Sequence, residues 1–121
     1  MANRRRSLFG TPRIHDVDPK EAAGLHEQRA VLLDVREDDE WTAGHAPGAL
    51  HVPLAEVAGA MARFGGRRVV AVCRGGNRPA QAATALARAG IDVRNVSGGM
   101  SAWAAAGLAV VRDDGSPGSV V

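Results

Sequence analysis

The sequence predicts an α/β fold: a mostly parallel five-stranded sheet with helices on both faces, giving three layers, α/β/α. Three observations predict it. Short apolar runs alternate along the chain with segments of helical composition. Two of the runs, AVLLDV at 30–35 and the VVAV that ends RRVVAV at 67–72, are almost unbroken. That is the pattern of strands covered on both faces. The links between segments are short, and an alternating chain with short links favours parallel crossovers.

The elements follow in order. RIHDV at 13–17 is a weak first strand. DPKEAAGLHEQ at 18–28 reads as a helix. Asp18 can cap it, Pro19 suits its first position, and Glu21 completes a capping box. AVLLDV at 30–35 is the second strand, and EDDEWTAGH at 37–45 is a short helix stopped near Gly44. GALHVP at 48–53 is a third strand closed by Pro53. LAEVAGAMARF at 54–64 is helical, and Gly65 and Gly66 end it. RRVVAV at 67–72 is the fourth strand. RPAQAATALARAG at 78–90 is the strongest helix, with Gly90 as its C-terminal cap. DVRNV at 92–96 is the last strand and GMSAWAAAG at 99–107 the last helix. RDDGSPGSVV at 112–121 is polar and rich in Gly and Pro, which predicts a flexible tail.

A chain of 121 residues suits one domain. We place it at 13–111, between a flexible N-terminal segment at 1–12 and the tail. The 45% hydrophobic content fills a single core, much of it alanine. One cysteine excludes an internal disulfide and permits an intracellular enzyme with a reactive thiol; a buried inert thiol is the plain alternative. The net charge of +2 is too small and too dispersed to indicate nucleic acid. Arg4-Arg5-Arg6 is followed by a stretch broken at Gly10 and Pro12, too short for a secretory signal. No run approaches the ~20 apolar residues of a spanning helix. The expected location is cytoplasmic, with neither nucleic acid nor membrane as partner. The arginine run is read as part of a flexible tail, or else as an anionic docking patch.

The stretch VVAVCRGGNRPAQAA at 69–83 puts the one thiol, Cys73, where a strand stops and a helix starts. Only Arg74, Gly75, Gly76 and Asn77 separate it from Arg78. A turn this short must curl. Glycine allows the required backbone angles, and asparagine tolerates a left-handed conformation. A curled loop turns successive N–H groups inward as an anion nest, and the start of the following helix adds its own donors. Pro79 suits that first turn. A cysteine beside such donors and Arg has its pKa lowered from ~8.5, and the thiolate is the nucleophile. Arg74 and Arg78 add positive charge for an anionic substrate. The plain alternative is a small core residue ending a strand.

With these residues in view, the chain resembles a known family. CRGGNR is similar to the active-site loop of the rhodanese domain. LLDVREDDEWTAGHAPGALHVPL at 32–54 resembles the family's upstream signature, and VRNVSGGMSAWAAAGLAV at 93–110 its closing Gly-Gly segment with Trp. Pro79 stands where many members carry Ser, which removes a hydroxyl and an N–H beside the nest. The resemblance implies a rhodanese-like fold and a sulfurtransferase. Cys73 would take the outer sulfur of thiosulfate or a persulfide donor, hold it as a persulfide, and pass it to cyanide or a thiol, including a protein acceptor. Substrate binding would fall to Arg74, Gly75, Gly76, Asn77 and Arg78. No cofactor and no metal is implied. Phosphatases that share the fold use a loop one residue longer, wide enough for a phosphoryl group; the shorter loop fits one sulfur atom. A non-enzymatic sulfur carrier or docking module is the alternative.

Asp34 and Arg36 are read as supporting residues. Asp34 is expected to cap the next short helix, with pairing to Arg78 or to loop N–H groups as the other option. Arg36 is expected to pair with Glu40, four residues on. Trp41 is a core or rim aromatic. His45 is expected to fix the Gly-His-x-Pro-Gly turn by a hydrogen bond, and His51 has no catalytic part. Gly98, Gly99 and Trp103 pack beside the loop, with Trp103 a candidate for shaping the pocket.

Overall fold

A computed structural model describes residues 14–75 and 79–121. The N-terminal segment 1–12 with its arginine run, and the loop positions Gly76, Asn77 and Arg78, lie outside the described residues. Among the described residues five strands are formed: β1 (His15–Val17), β2 (Val31–Asp34), β3 (Leu50–His51), β4 (Val69–Val72) and β5 (Val93–Val96). Five α-helices accompany them: α1 (Pro19–Glu27), α2 (Asp38–Ala43), α3 (Val57–Ala60), α4 (Pro79–Arg88) and α5 (Gly99–Ala105).

The strands form one sheet in the order β1-β5-β4-β2-β3, and every described pair is parallel. Successive side chains on a strand point to opposite faces, so β2 and β4 feed two cores. Val31, Leu33, Val69 and Ala71 meet Val57, Ala60, Phe64, Ala82, Ala83 and Leu86 on one face. Leu32, Val70 and Val72 meet Ala22 of α1 and Met100 and Trp103 of α5 on the other. Both faces of β4 are buried along its length, which is why its sequence reads as a continuous apolar run. The expected three layers and mostly parallel sheet are therefore the observed ones.

Local signals place several boundaries. Asp18 accepts the Glu21 N–H at 2.8 Å and Glu21 accepts the Asp18 N–H at 3.2 Å, closing the capping box of α1. Residues 54–64, expected as one helix, are instead a 3₁₀ turn at Leu54–Glu56, the single turn α3, and a second 3₁₀ turn at Met61–Phe64. Gly59 weakens the middle of the run, and burial of Val57, Ala60 and Phe64 sets the winding.

The composition of 112–121 predicts a flexible tail, but the structure turns this segment back onto the domain. Val111 pairs with both His45 and Pro117. Ser119 N–H donates to the Ala43 carbonyl and Gly118 N–H to that of Val110, each at 2.9 Å. The contact is close because two glycines make it. A β-carbon on Gly44 would lie 2.6 Å from Ser119 backbone atoms, and one on Gly118 would lie 2.7 Å from the Gly44 Cα.

Candidate active site

β4 is the central strand, and Cys73 follows its last residue. In open parallel sheets this carboxyl edge is where ligands gather. The chain leaves the sheet here under restraint. Val35 N–H donates to the Val72 carbonyl at 3.1 Å. Met100 N–H donates to the Cys73 carbonyl, and Ser101 N–H to the Arg74 carbonyl at 2.8 Å. The first turn of α5 thus holds the start of the loop. The double glycine makes this approach possible. Gly99 has φ +58°, and a β-carbon there would overlap the Cys73 carbonyl oxygen. Gly98 and Gly99 therefore pack beside the loop, as expected.

Cys73 is only 3% exposed. It nevertheless lines a small pocket with Val35, Arg36, Glu37, Glu40 and Leu54. Glu37 is solvent-exposed, so the pocket reaches the surface. Arg74 and Gly75 are exposed beside it, and the next helix starts at Pro79. The expected ring of main-chain donors falls largely on Gly76, Asn77 and Arg78, outside the described residues. Glu37, Glu40 and Leu54 were not singled out as pocket residues by sequence reasoning. The sequence does show Leu54 directly after the strand-closing Pro53, at the same edge of the sheet as Cys73.

Asp34 and Arg36 are fully buried, and they pair with each other. Arg36 Nη2 donates to Asp34 Oδ2 at 2.8 Å, Nε reaches both carboxylate oxygens, and the Arg36 N–H donates to Oδ1 at 3.0 Å. Nη2 also donates to the Gly44 carbonyl at 2.7 Å. This corrects the expected Arg36–Glu40 pair: Glu40 Oε1 accepts the Glu37 N–H at 3.0 Å instead. Asp34 does not cap the next helix either; Glu37 occupies that position.

The aromatic and imidazole rings brace this end of the sheet. Trp41 stacks on His45 at 3.6 Å and on His51 at 4.7 Å, both nearly parallel. His51 Nε2 lies 2.8 Å from the Arg36 carbonyl, and His45 Nε2 lies 2.9 Å from Asp113. Within the turn, His45 Nδ1 lies 3.3 Å from the Ala46 carbonyl, and the His45 backbone pairs with Val111 of the C-terminal segment. Trp103 sits in the core on the α1 and α5 face, donating from Nε1 to the Ala109 carbonyl at 2.8 Å. It does not line the Cys73 pocket.

A lone cysteine at the carboxyl edge of a parallel sheet, ahead of a glycine-bearing turn into a helix, is the arrangement the sequence motifs point to. A family model described as "Rhodanese-like domain" matches residues 18–106. The chain belongs to the rhodanese family. A thiosulfate sulfurtransferase GlpE of Pseudomonas savastanoi is 35% identical over 91 residues, covering 74% of this chain and 86% of that protein. An HTH-type transcriptional regulator of Mycobacterium tuberculosis is 45% identical over 90 residues, 72% of this chain. This rhodanese domain spans only 39% of that regulator's length. The crystal structure of a thiosulfate sulfurtransferase from Pseudomonas aeruginosa superposes with a TM-score of 0.73 at 30% identity, covering 88% of this chain and 21% of that one. Among the described residues no helix is long and apolar enough to cross a membrane.

Proposed function

We propose that this rhodanese domain is a sulfurtransferase in which Cys73 carries the transferred sulfur as a persulfide. The Cys73 thiolate attacks the outer sulfur of thiosulfate or of a persulfide donor. The sulfur–sulfur bond of the donor breaks, and sulfite or a thiolate leaves with the bonding pair. A thiol or cyanide then attacks the outer sulfur and restores the thiolate. Such a double displacement gives ping-pong kinetics. Arg74, Gly75, Gly76, Asn77 and Arg78 are assigned to the anion, each inward N–H contributing on the order of 2–4 kcal/mol by analogy with oxyanion holes. Asp34 and Arg36 support the pocket from beneath.

The observation that carries this reading is the placement of the only cysteine at the carboxyl end of the central strand, lining a pocket that reaches solvent. Intact-mass analysis after thiosulfate treatment tests it. The expected result is a gain of one sulfur, reversed by cyanide and absent in Cys73→Ser. No gain from thiosulfate or from an alkyl persulfide overturns it.

The near-complete burial of Cys73 favours a second reading, a sulfur carrier or docking module without turnover. A stable persulfide with no steady-state transfer to cyanide or thiols selects it.

A further inference from the structure

We propose that the arginine cluster at the amino edge of the sheet, Arg29, Arg67 and Arg68, is a docking surface for an acidic segment of a partner protein. The surface lies at the opposite end of the sheet from Cys73 and is independent of the sulfur-transfer reading. Ala30, Arg68 and Asp92 stand directly before β2, β4 and β5, whereas Cys73 directly follows β4. The four-residue strand β4 separates Arg68 from Cys73, a span of roughly 16 Å at about 3.3 Å per residue.

Arg29, Arg67, Arg68 and Asp92 line one surface concavity, where Leu25 and Ala30 supply apolar contact. Asp92 is shared: it accepts from Arg68 Nε at 2.8 Å and also pairs with Arg94. Arg29 and Arg67 have no ion-pair partner among the described residues. All 13 acidic residues of the chain lie among the described ones, and Asp92 alone pairs with an arginine of the cluster. Residues 1–13 and 76–78 add arginines and no acid. The positive charge is therefore not cancelled from within the chain.

A second observation singles out Arg29. Helices α1, α4 and α5 are each followed, two positions beyond their last residue, by a residue in the left-handed region. After α4 and α5 that residue is glycine, Gly90 at φ +87° and Gly107 at φ +80°. After α1 it is Arg29 at φ +77°, the one such non-glycine among the described residues. Glycine takes this conformation freely, and a side chain there costs stability. The chain keeps an arginine against that cost, and such a backbone outlier points to a role for the side chain. Arg67 Nε donates to the Arg29 carbonyl at 3.0 Å, which ties the two arginines together. Every polar side chain that lines the concavity is exposed, so the surface lacks the enclosure of a small-molecule site. Arginine is enriched at protein interfaces, and a row of carboxylates can engage several exposed guanidinium groups together.

The test uses the full chain and a fluorescein-labelled hexaglutamate peptide, followed by fluorescence anisotropy at low salt. The wild type is expected to bind the peptide saturably, and less tightly as salt rises. Arg29→Gly is expected to weaken binding roughly threefold while raising the urea unfolding midpoint by roughly 0.5 M, because glycine relieves the left-handed backbone. A residue that served only to end the helix would show the second effect without the first. Arg67→Gln is also expected to weaken binding roughly threefold, and it carries the test should Arg29→Gly fail to fold. Arg74→Gln, at the Cys73 edge of the sheet, is expected to change binding less than twofold. No binding by the wild type, or binding unmoved in the Arg29 and Arg67 variants, overturns the inference. Loss of binding in Arg74→Gln alone also overturns it, by placing the anion at the loop. A hexathymidylate that binds more tightly than the peptide, or equimolar inorganic phosphate that displaces it, overturns it in favour of a nucleic acid or a small ion. None of these outcomes depends on persulfide loading of Cys73.

Discussion

Replacing Arg36 with Leu is expected to destabilise the domain by about 3–5 kcal/mol, because it leaves a buried carboxylate without its counter-charge. Asp34 is 0% exposed and the Arg36 side chain 1%. In the native pair the carboxylate receives Nε at 3.0 and 3.1 Å, Nη2 at 2.8 Å and the Arg36 N–H at 3.0 Å. Only the backbone donor survives the change to Leu. The Gly44 carbonyl also loses the Nη2 bond. Against a total stability of about 5–15 kcal/mol for a domain, this is a large fraction. With a urea m-value of about 2 kcal/mol/M, the unfolding midpoint falls by roughly 2 M. Asp34→Asn combined with Arg36→Leu removes the stranded charge and is expected to recover part of the loss. Urea unfolding of the wild type, both single variants and the double variant measures the coupling. An Arg36→Leu change that lowers stability by less than about 1 kcal/mol, or a double variant no more stable than Arg36→Leu, refutes the reasoning, since both results require that the pair be solvated.

Three further outcomes follow from the same structure. Gly99→Ala places a β-carbon against the Cys73 and Arg74 backbone at φ +58°, whereas Gly107→Ala meets nothing at φ +80°. Both changes carry the left-handed penalty of roughly 1–2 kcal/mol, but only Gly99→Ala should also slow persulfide loading of Cys73. Deleting residues 112–121 removes the Asp113 contact to His45 and the bonds from Gly118 and Ser119. At about 1 kcal/mol per bond, the loss is roughly 2–3 kcal/mol and appears as a lower Tm, where removal of an unattached tail would leave Tm unchanged. The Asp92 carboxyl is held below its usual pKa, chiefly by the Arg68 hydrogen bond and further by Arg94. A depressed folded pKa means stability that is present above the unfolded value of about 3.9 and is lost as pH falls below it. Asp92 is half exposed, so Asp92→Asn should change stability at pH 7 by less than about 1 kcal/mol and flatten the acid limb of a stability–pH curve below pH ~4.

Much of the fold was legible because its signals are local. The Asp18-Pro19-Glu21 cap and the apolar runs of β2 and β4 each act within a few residues. The pairing of Arg36 was misread for a specific reason. Spacing of four residues brings side chains together only inside a helix, and α2 begins at Asp38, after Arg36. In extended chain, alternate residues share a face, which puts Arg36 beside Asp34. The C-terminal segment was illegible for the opposite reason. Its attachment depends on Gly44 and Gly118 meeting backbone to backbone across a long stretch of chain, and Gly-rich composition is shared by tails and by close contacts. Trp103 is expected beside the loop from the resemblance of the closing segment, but its ring lies in the core on the α1 and α5 face.

The position of Cys73 is thus set by backbone contacts. Its strand is paired on both sides, with β2 and with β5. The carbonyls of Cys73 and Arg74 are engaged by the first turn of α5. Side-chain changes in the loop leave these bonds in place, whereas any β-carbon at Gly99 disturbs them. The closing Gly-Gly segment, remote in sequence from the thiol, therefore fixes where Cys73 sits. A substitution at Gly99 should therefore affect loading of Cys73 for every donor alike.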